Sequence, residues 1–195
     1  MIYTLANMRT FARALDTRLE NTTVYTDTWL DDRIEEGLAL AQDIKQTLFY
    51  TKEKYDIENN LTVDMLNVVE IIPQREVHTI WAVEYDTNTL TVEITANNHV
   101  IIRRIEDAPL PDDFTVTIRY FFYHTLPFTE IEMSMEVYKM VKHCIAVTCF
   151  QWLQDKESEQ YHTAIAESMV VKSTFDIEKD LMSVPEERLW MASWA

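Results

Sequence analysis

A single glycine, Gly37, serves all 195 residues. Glycine lets a backbone take positive φ, or approach a ligand closely, without a steric cost. A chain with one glycine builds neither a phosphate-cradling P-loop nor a dinucleotide fingerprint, since both need several glycines at set spacing. The Gly-x-Ser-x-Gly elbow of the α/β-hydrolases is excluded in the same way. Tight turns fall to other residues. Asn97-Asn98, set between two apolar runs, is the expected hairpin turn because asparagine tolerates positive φ.

Hydrophobic periodicity divides the chain into helical flanks and a β centre. Leu5, Met8, Ala12, Leu15 and Leu19 form one apolar stripe, which predicts a helix over 3–20, broken by Asn21-Thr22-Thr23. Thr28 is the expected cap of a second helix, with Asp31 and Asp32 in its first turn. Its core face is Leu30, Ile34, Leu38, Ala41, Ile44 and Leu48, and the polar stretch Glu53 to Asn60 is expected to end it. The period then shortens. The runs Leu66–Ile72, His78–Tyr85, Leu90–Ile94, Val100–Ile105 and Phe114–Phe122 predict four or five antiparallel strands across 62–124. Pro109 and Pro111 mark a loop among them.

Thr129 and Glu132, after Pro127, match a capping box and predict the start of a third helix. Ile131, Met135, Tyr138, Val141, Ile145 and Trp152 make one face of it. Val137, Met140, Cys144 and Val147 add a second, the mark of a central helix. Ser158 is the expected cap of a fourth, carrying Tyr161, Ile165 and Met169 and running towards Ile177 or Leu181. The expected fold class is α+β: a four-helix bundle, two helices N-terminal and two C-terminal, with an inserted small antiparallel β-sheet. The expected domains are a discontinuous helical bundle over 1–60 and 125–182, a β insertion over 61–124, and a C-terminal docking tail over 183–195.

Net charge is −16, and the acids are spread evenly: 11 against 7 bases in 1–60, 10 against 4 in 61–127, 12 against 6 in 128–195. An even acidic excess opposes tight binding to phosphate backbones, which needs clustered Lys and Arg. Cys144 and Cys149 lie five apart in a helical stretch and point to different faces, so no disulfide is expected. No signal peptide and no membrane span is expected, and a reducing cytoplasmic setting follows.

The titratable residues form no catalytic signature. His78, His99, His124, His143 and His162 include no two-histidine zinc motif. Glu159 and His162 stand at i, i+3, a spacing that carboxylate-bridged di-iron bundles use twice, but no second copy exists, and a solvated face is the expected reading. Ser134 and Ser168 read as plain helix residues and Cys144 as an inert buried thiol. Asp31-Asp32, Glu35-Glu36 and Asp112-Asp113 read as solvated acids. No catalytic, cofactor-binding or metal-binding residue is expected, no cofactor, and no enzymatic activity. The tail is different. Leu189, Trp190, Met191 and Trp194 carry apolar surface worth roughly 25 cal/mol per Å² when buried, so the tail either folds back on the bundle or docks onto a partner.

Three stretches resemble the head-tail connector proteins of tailed bacteriophages, of the adaptor or head-completion type. One is Tyr25-Thr26-Asp27-Thr28-Trp29-Leu30-Asp31-Asp32-Arg33-Ile34-Glu35-Glu36-Gly37-Leu38, an aromatic and acidic start to a longer helix. The second is Ile118-Arg119-Tyr120-Phe121-Phe122-Tyr123 before Leu126-Pro127-Phe128-Thr129-Glu130 and an apolar helix reaching Trp152. The third is Glu159-Gln160-Tyr161-His162-Thr163-Ala164. The β insertion is longer than in the shorter members. The resemblance implies a structural virion protein at the portal-tail junction, made in the host cytoplasm. Its implied partners are the portal protein, a tail or stopper protein, and copies of itself in a ring, commonly a dodecamer. Double-stranded DNA would pass through the lumen without specific binding, and no membrane is involved. It also implies that a C-terminal segment locks onto the portal, here through Leu189, Trp190, Met191 and Trp194. The alternatives are another neck or tail component, a stopper or tail completion protein, and an acidic DNA-mimic inhibitor. A bundle-borne metal enzyme ranks last.

Overall fold

A computed structural model describes residues 1–58, 68–86, 89–105, 113–169 and 189–191. The chain divides into two units, one of Met1–Phe49 with Tyr123–Thr174 and one of Tyr50–Phe122 with Phe175–Ala195.

The first unit is mainly helical. Strand β1 (Ile2–Thr4) leads directly into α1 (Leu5–Arg13), which Thr4 caps by accepting the Asn7 N–H. The expected helix over 3–20 stops early: Asp16 caps a separate 3-10 turn, Thr17–Glu20, by accepting the Arg18 N–H. The apolar stripe still does its work, with Met8, Ala12 and Leu19 fully buried. Helix α2 (Asp27–Ile44) is capped by Thr26 rather than Thr28. Helix α3 (Met135–Trp152) carries an unbroken buried run from Cys144 to Phe150, which makes it the central element. Its cap is Ser134, because residues Glu130–Glu132 form strand β8, paired antiparallel with β1. The expected capping box at Thr129 and Glu132 is therefore not formed: Glu132 lies on the strand and Thr129 just before it. Helix α4 (Lys156–Ser168) is capped by Asp155, whose carboxylate accepts the Ser158 N–H at 3.1 Å. It ends at Ser168, short of the expected end near Ile177 or Leu181, which lies outside the described residues.

The second unit is β-rich. Strand β2 (Tyr50–Glu58) occupies the stretch expected to end the second helix. Strands β3 (Val68–Ile71), β4 (Val77–Tyr85), β5 (Leu90–Ile94), β6 (Val100–Arg104) and β7 (Asp113–Phe122) fall within the expected runs or within a residue of them, and β9 (Leu189–Met191) comes from the tail. One sheet has the order β2-β7-β4-β9 and another β3-β6-β5. The β5–β6 hairpin turns at Asn98, at φ 59°, as the lack of glycine requires. Strand β7 is an inner strand of the larger sheet, with Phe114, Val116, Ile118 and Arg119 to Phe122 buried.

The fold is α+β, but the expected four-helix bundle with a small inserted sheet is wrong. The described residues hold four α-helices and nine strands in three sheets. A bundle needs several long helices sharing a seam. Here α1 has nine residues, and α4 fully buries only Ala166. Stretches read as helix termini, 50–58 and 130–132, are strands.

Candidate functional site

Three of the four residues expected to dock onto a partner fall at the edge of the larger sheet. Leu189, Trp190 and Met191 lie antiparallel to β4, opposite Glu84, Val83 and Ala82. Leu189 and Trp190 are half-buried and Met191 is exposed. The described part of the tail, 189–191, thus pairs with a sheet. Strand β9 is the last in the sheet order, so its far side is a free edge among the described residues, a template for strand addition. Trp194 lies outside the described residues.

Within the helical unit, Asp31 and Glu36, expected as solvated acids, are held in ion pairs. Asp31 takes Arg9 in a two-point pair at 2.6 Å, and Asp27 takes Arg13 at 2.6 Å. The Arg13 side chain beside it holds the Asp27 carboxyl below its usual range. Glu35 accepts the Leu126 N–H at 3.2 Å. Arg33 is nearly fully buried. It reaches Glu36 at 2.7 Å, while its Nε and Nη1 have no hydrogen-bond partner. Its guanidinium instead lies 4.4 Å from the Trp152 ring and 5.6 Å from that of Trp29. Burial pushes the Glu36 carboxyl up against the pull of Arg33. Trp152, expected on an apolar core face, is 59% exposed and borders a concavity of about 450 Å³ with Glu36, Gln151 and Gln154.

The histidines divide between the units. His78 bonds Thr79 at 2.8 Å and His99 meets Glu70 at 2.7 Å. His124 makes edge contacts with Phe49 and Phe128. His143 on α3 and His162 on α4 point their Nδ1 atoms at each other, 2.9 Å apart. The sequence offered only the Glu159 spacing for His162; no rule of spacing links residues nineteen apart on different helices. Ser134 caps α3, and the Ser168 hydroxyl donates to the Ile165 carbonyl. Cys144 and Cys149 are free and buried, and burial pushes both thiols up to about 12.

In the β unit, Glu53 is the hub of a half-buried knot. It accepts hydrogen bonds from the hydroxyls of Tyr55 and Tyr120, and from the Gln74 N–H at 3.0 Å. Burial alone raises its carboxyl, but the two hydroxyls, the Gln74 amide and the nearby Arg75 together hold it below its usual range. Asp56, Asp86 and Asp113 line a concavity of about 420 Å³ with Ile57, Phe114 and Thr115. Among the described residues, no group of three or more His, Cys, Asp or Glu is placed to hold a metal ion, and no helix is long and apolar enough to cross a membrane.

The arrangement is that of a two-unit α+β chain in which many of the described polar side chains are tied into structural pairs. The chain matches no protein-family model and no curated protein.

Proposed function

We propose that this chain is a structural subunit of a tailed-phage neck, an adaptor that forms a ring between portal and tail and lines the DNA channel. What carries the reading is where the three resembling stretches fall. Tyr25 to Leu38 runs through the Thr26 cap into α2, Ile118 to Phe122 closes β7, and Glu159 to Ala164 lies in α4. Each is a packing or capping element, the kind of feature a scaffold subunit needs.

The acidic balance supports the channel role. A wall of repeated negative charge repels the phosphates, so passing DNA finds no seat. Twelve copies at −16 would bring about −192 formal charges to the ring, much of it screened. The portal contact is assigned to the tail. Among the described residues strand β9 presents a free edge, and strand addition there supplies main-chain bonds, with the exposed Met191 as an apolar anchor.

The test combines the purified chain with isolated portal rings and measures mass by light scattering, with electron microscopy of the product. A ring of this chain seated on the portal is the expected result, and truncation after Val184 abolishes the seating while the helices still fold. A chain that stays solitary with portal, stopper and tail overturns the proposal. Binding to the tail tube alone would make it a tail completion protein.

A further inference from the structure

We infer that His143 and His162 form a proton-sensitive latch, which holds α4 against α3 when at most one imidazole is charged and releases it when both are.

The geometry is that of one shared hydrogen. The Nδ1 atoms are 2.9 Å apart and the ring centroids 5.1 Å. A centroid lies roughly 1.1 Å behind each ring nitrogen, so an in-line N–H···N bond puts the centroids at about 5.1 Å. The two rings therefore aim straight at each other. In the neutral pair one Nδ1–H donates and the other Nδ1 accepts. A first added proton goes to the far nitrogen, Nε2, of the donor ring. The bond survives and becomes charge-assisted. A second must go to the accepting Nδ1. Two N–H groups then face each other at 2.9 Å, the bond is lost, and two like charges meet.

The surroundings oppose that second charge. Phe150 stacks on the His162 ring at 5.6 Å and 9°, and Tyr161 meets it edge-on at 5.2 Å. Burial holds both imidazoles below the usual histidine range, with His162 and Lys142 adding to the effect on His143. On α3 the charged neighbours in sequence are Lys139 and Lys142, and the Lys142 ammonium lies over the rings of Phe11 of α1 and Tyr138. On α4, Glu159 stands one turn before His162, and Asp155 at the cap faces Arg18 of the 3-10 turn at 3.9 Å. From α2, Arg33 and Glu36 act on Cys149. No carboxylate is hydrogen-bonded to either imidazole among the described residues.

Helix α4 packs along α3 but keeps most of its surface in contact with water. Of its thirteen residues only Ala166 is fully buried. An undocked α4 binds protons that the docked one refuses. The latch is therefore complete above the ordinary histidine range and weakens as pH falls below it.

Hydrogen exchange of the full chain between about pH 7.5 and about pH 5 tests this. After correction for the intrinsic rate, amides of 156–168 should exchange about tenfold faster or more at the acid end, while those of α3 keep their protection. His143→Gln and His162→Phe, which cannot take the charge, should remove the acceleration. Unchanged α4 protection, an acceleration shared equally by α3, or one that persists in both variants overturns the latch. Imidazole NMR of the wild-type chain gives a second reading that needs no variant. Two coupled titrations, the later one well below the usual range, are expected; two independent titrations at the ordinary value overturn it.

Discussion

Gly37 and Ile145 bring two helix backbones into contact. A Cβ added at Gly37 would lie 2.7 Å from the Ile145 Cα and 2.8 Å from its N and Cγ1. The one glycine of the chain is thus spent on a helix crossing between α2 and α3, with no turn or phosphate loop involved. Gly37→Ala sets two effects against each other. Alanine favours the helix by about 1 kcal/mol, while overpacking costs about 1–3 kcal/mol. The overpacking should win, because two of the three nearest atoms are backbone and cannot rotate away. Urea denaturation should show a net loss. Adding Ile145→Ala should not restore stability, since trimming the side chain leaves the Cα and N in place.

The Glu53 knot makes the β unit acid-sensitive. A carboxyl held below its usual range stabilises the fold above that range, and the contribution is lost as pH falls through the lowered value. Glu53→Gln keeps the size but turns one acceptor oxygen into a donor, so the hydroxyl of Tyr55 or Tyr120 loses its acceptor. The expected cost is about 1–3 kcal/mol at neutral pH. The gap between variant and wild type should narrow in acid, which urea midpoints at several pH values would show. A gap that does not change with pH would contradict the role given to the ionised carboxylate.

What the sequence made legible was whatever its own pattern sufficed to specify. Strand β5 matches its expected run, β6 stops one residue short of it, and the Asn98 turn follows from asparagine standing where glycine is missing. Strand β2 was misread because its exposed positions, Lys52, Lys54 and Asp56, make an edge strand look like a polar helix end. The Thr129–Glu132 match misled because a capping box is a local spacing, while β8 exists through its pairing with β1 at the far end of the chain. Leu189, Trp190 and Met191 stand out for their apolar surface, yet nothing in their order names Glu84, Val83 and Ala82 as their neighbours. The His143–His162 pair is a tertiary meeting with no sequence signature at all.

Both cysteines should be inert in the folded chain. The thiolate is the reactive form, and thiols pushed up to about 12 hold almost none of it at neutral pH. Burial also keeps reagents out. A thiol-specific reagent should find essentially no reactive group in the native protein and two after denaturation. A fast native reaction at either position would show that α3 opens locally, contrary to its place as the central helix.

Arg33 and Trp152 allow burial of a cation without full hydrogen bonding. Two of the guanidinium nitrogens have no acceptor, and the Trp152 face at 4.4 Å takes their place. Trp152→Ala strips that face and leaves the cation in place, at an expected cost of about 1–2 kcal/mol. Arg33→Met removes the cation with its desolvation penalty and fills similar volume, and the Glu36 left behind is half exposed, so the net change should stay within about 1 kcal/mol. The residue then left exposed to loss is Glu36, whose carboxyl burial already pushes up. Without Arg33 it should rise further and take up a proton on folding. Arg33→Met should therefore gain stability relative to wild type as pH is lowered from neutral towards about 5, and Trp152→Ala should not. Parallel urea titrations of the two variants decide the matter. If Arg33→Met proves the more damaging at both pH values, the ion pair with Glu36, and not the tryptophan face, is what holds this corner of the helical unit.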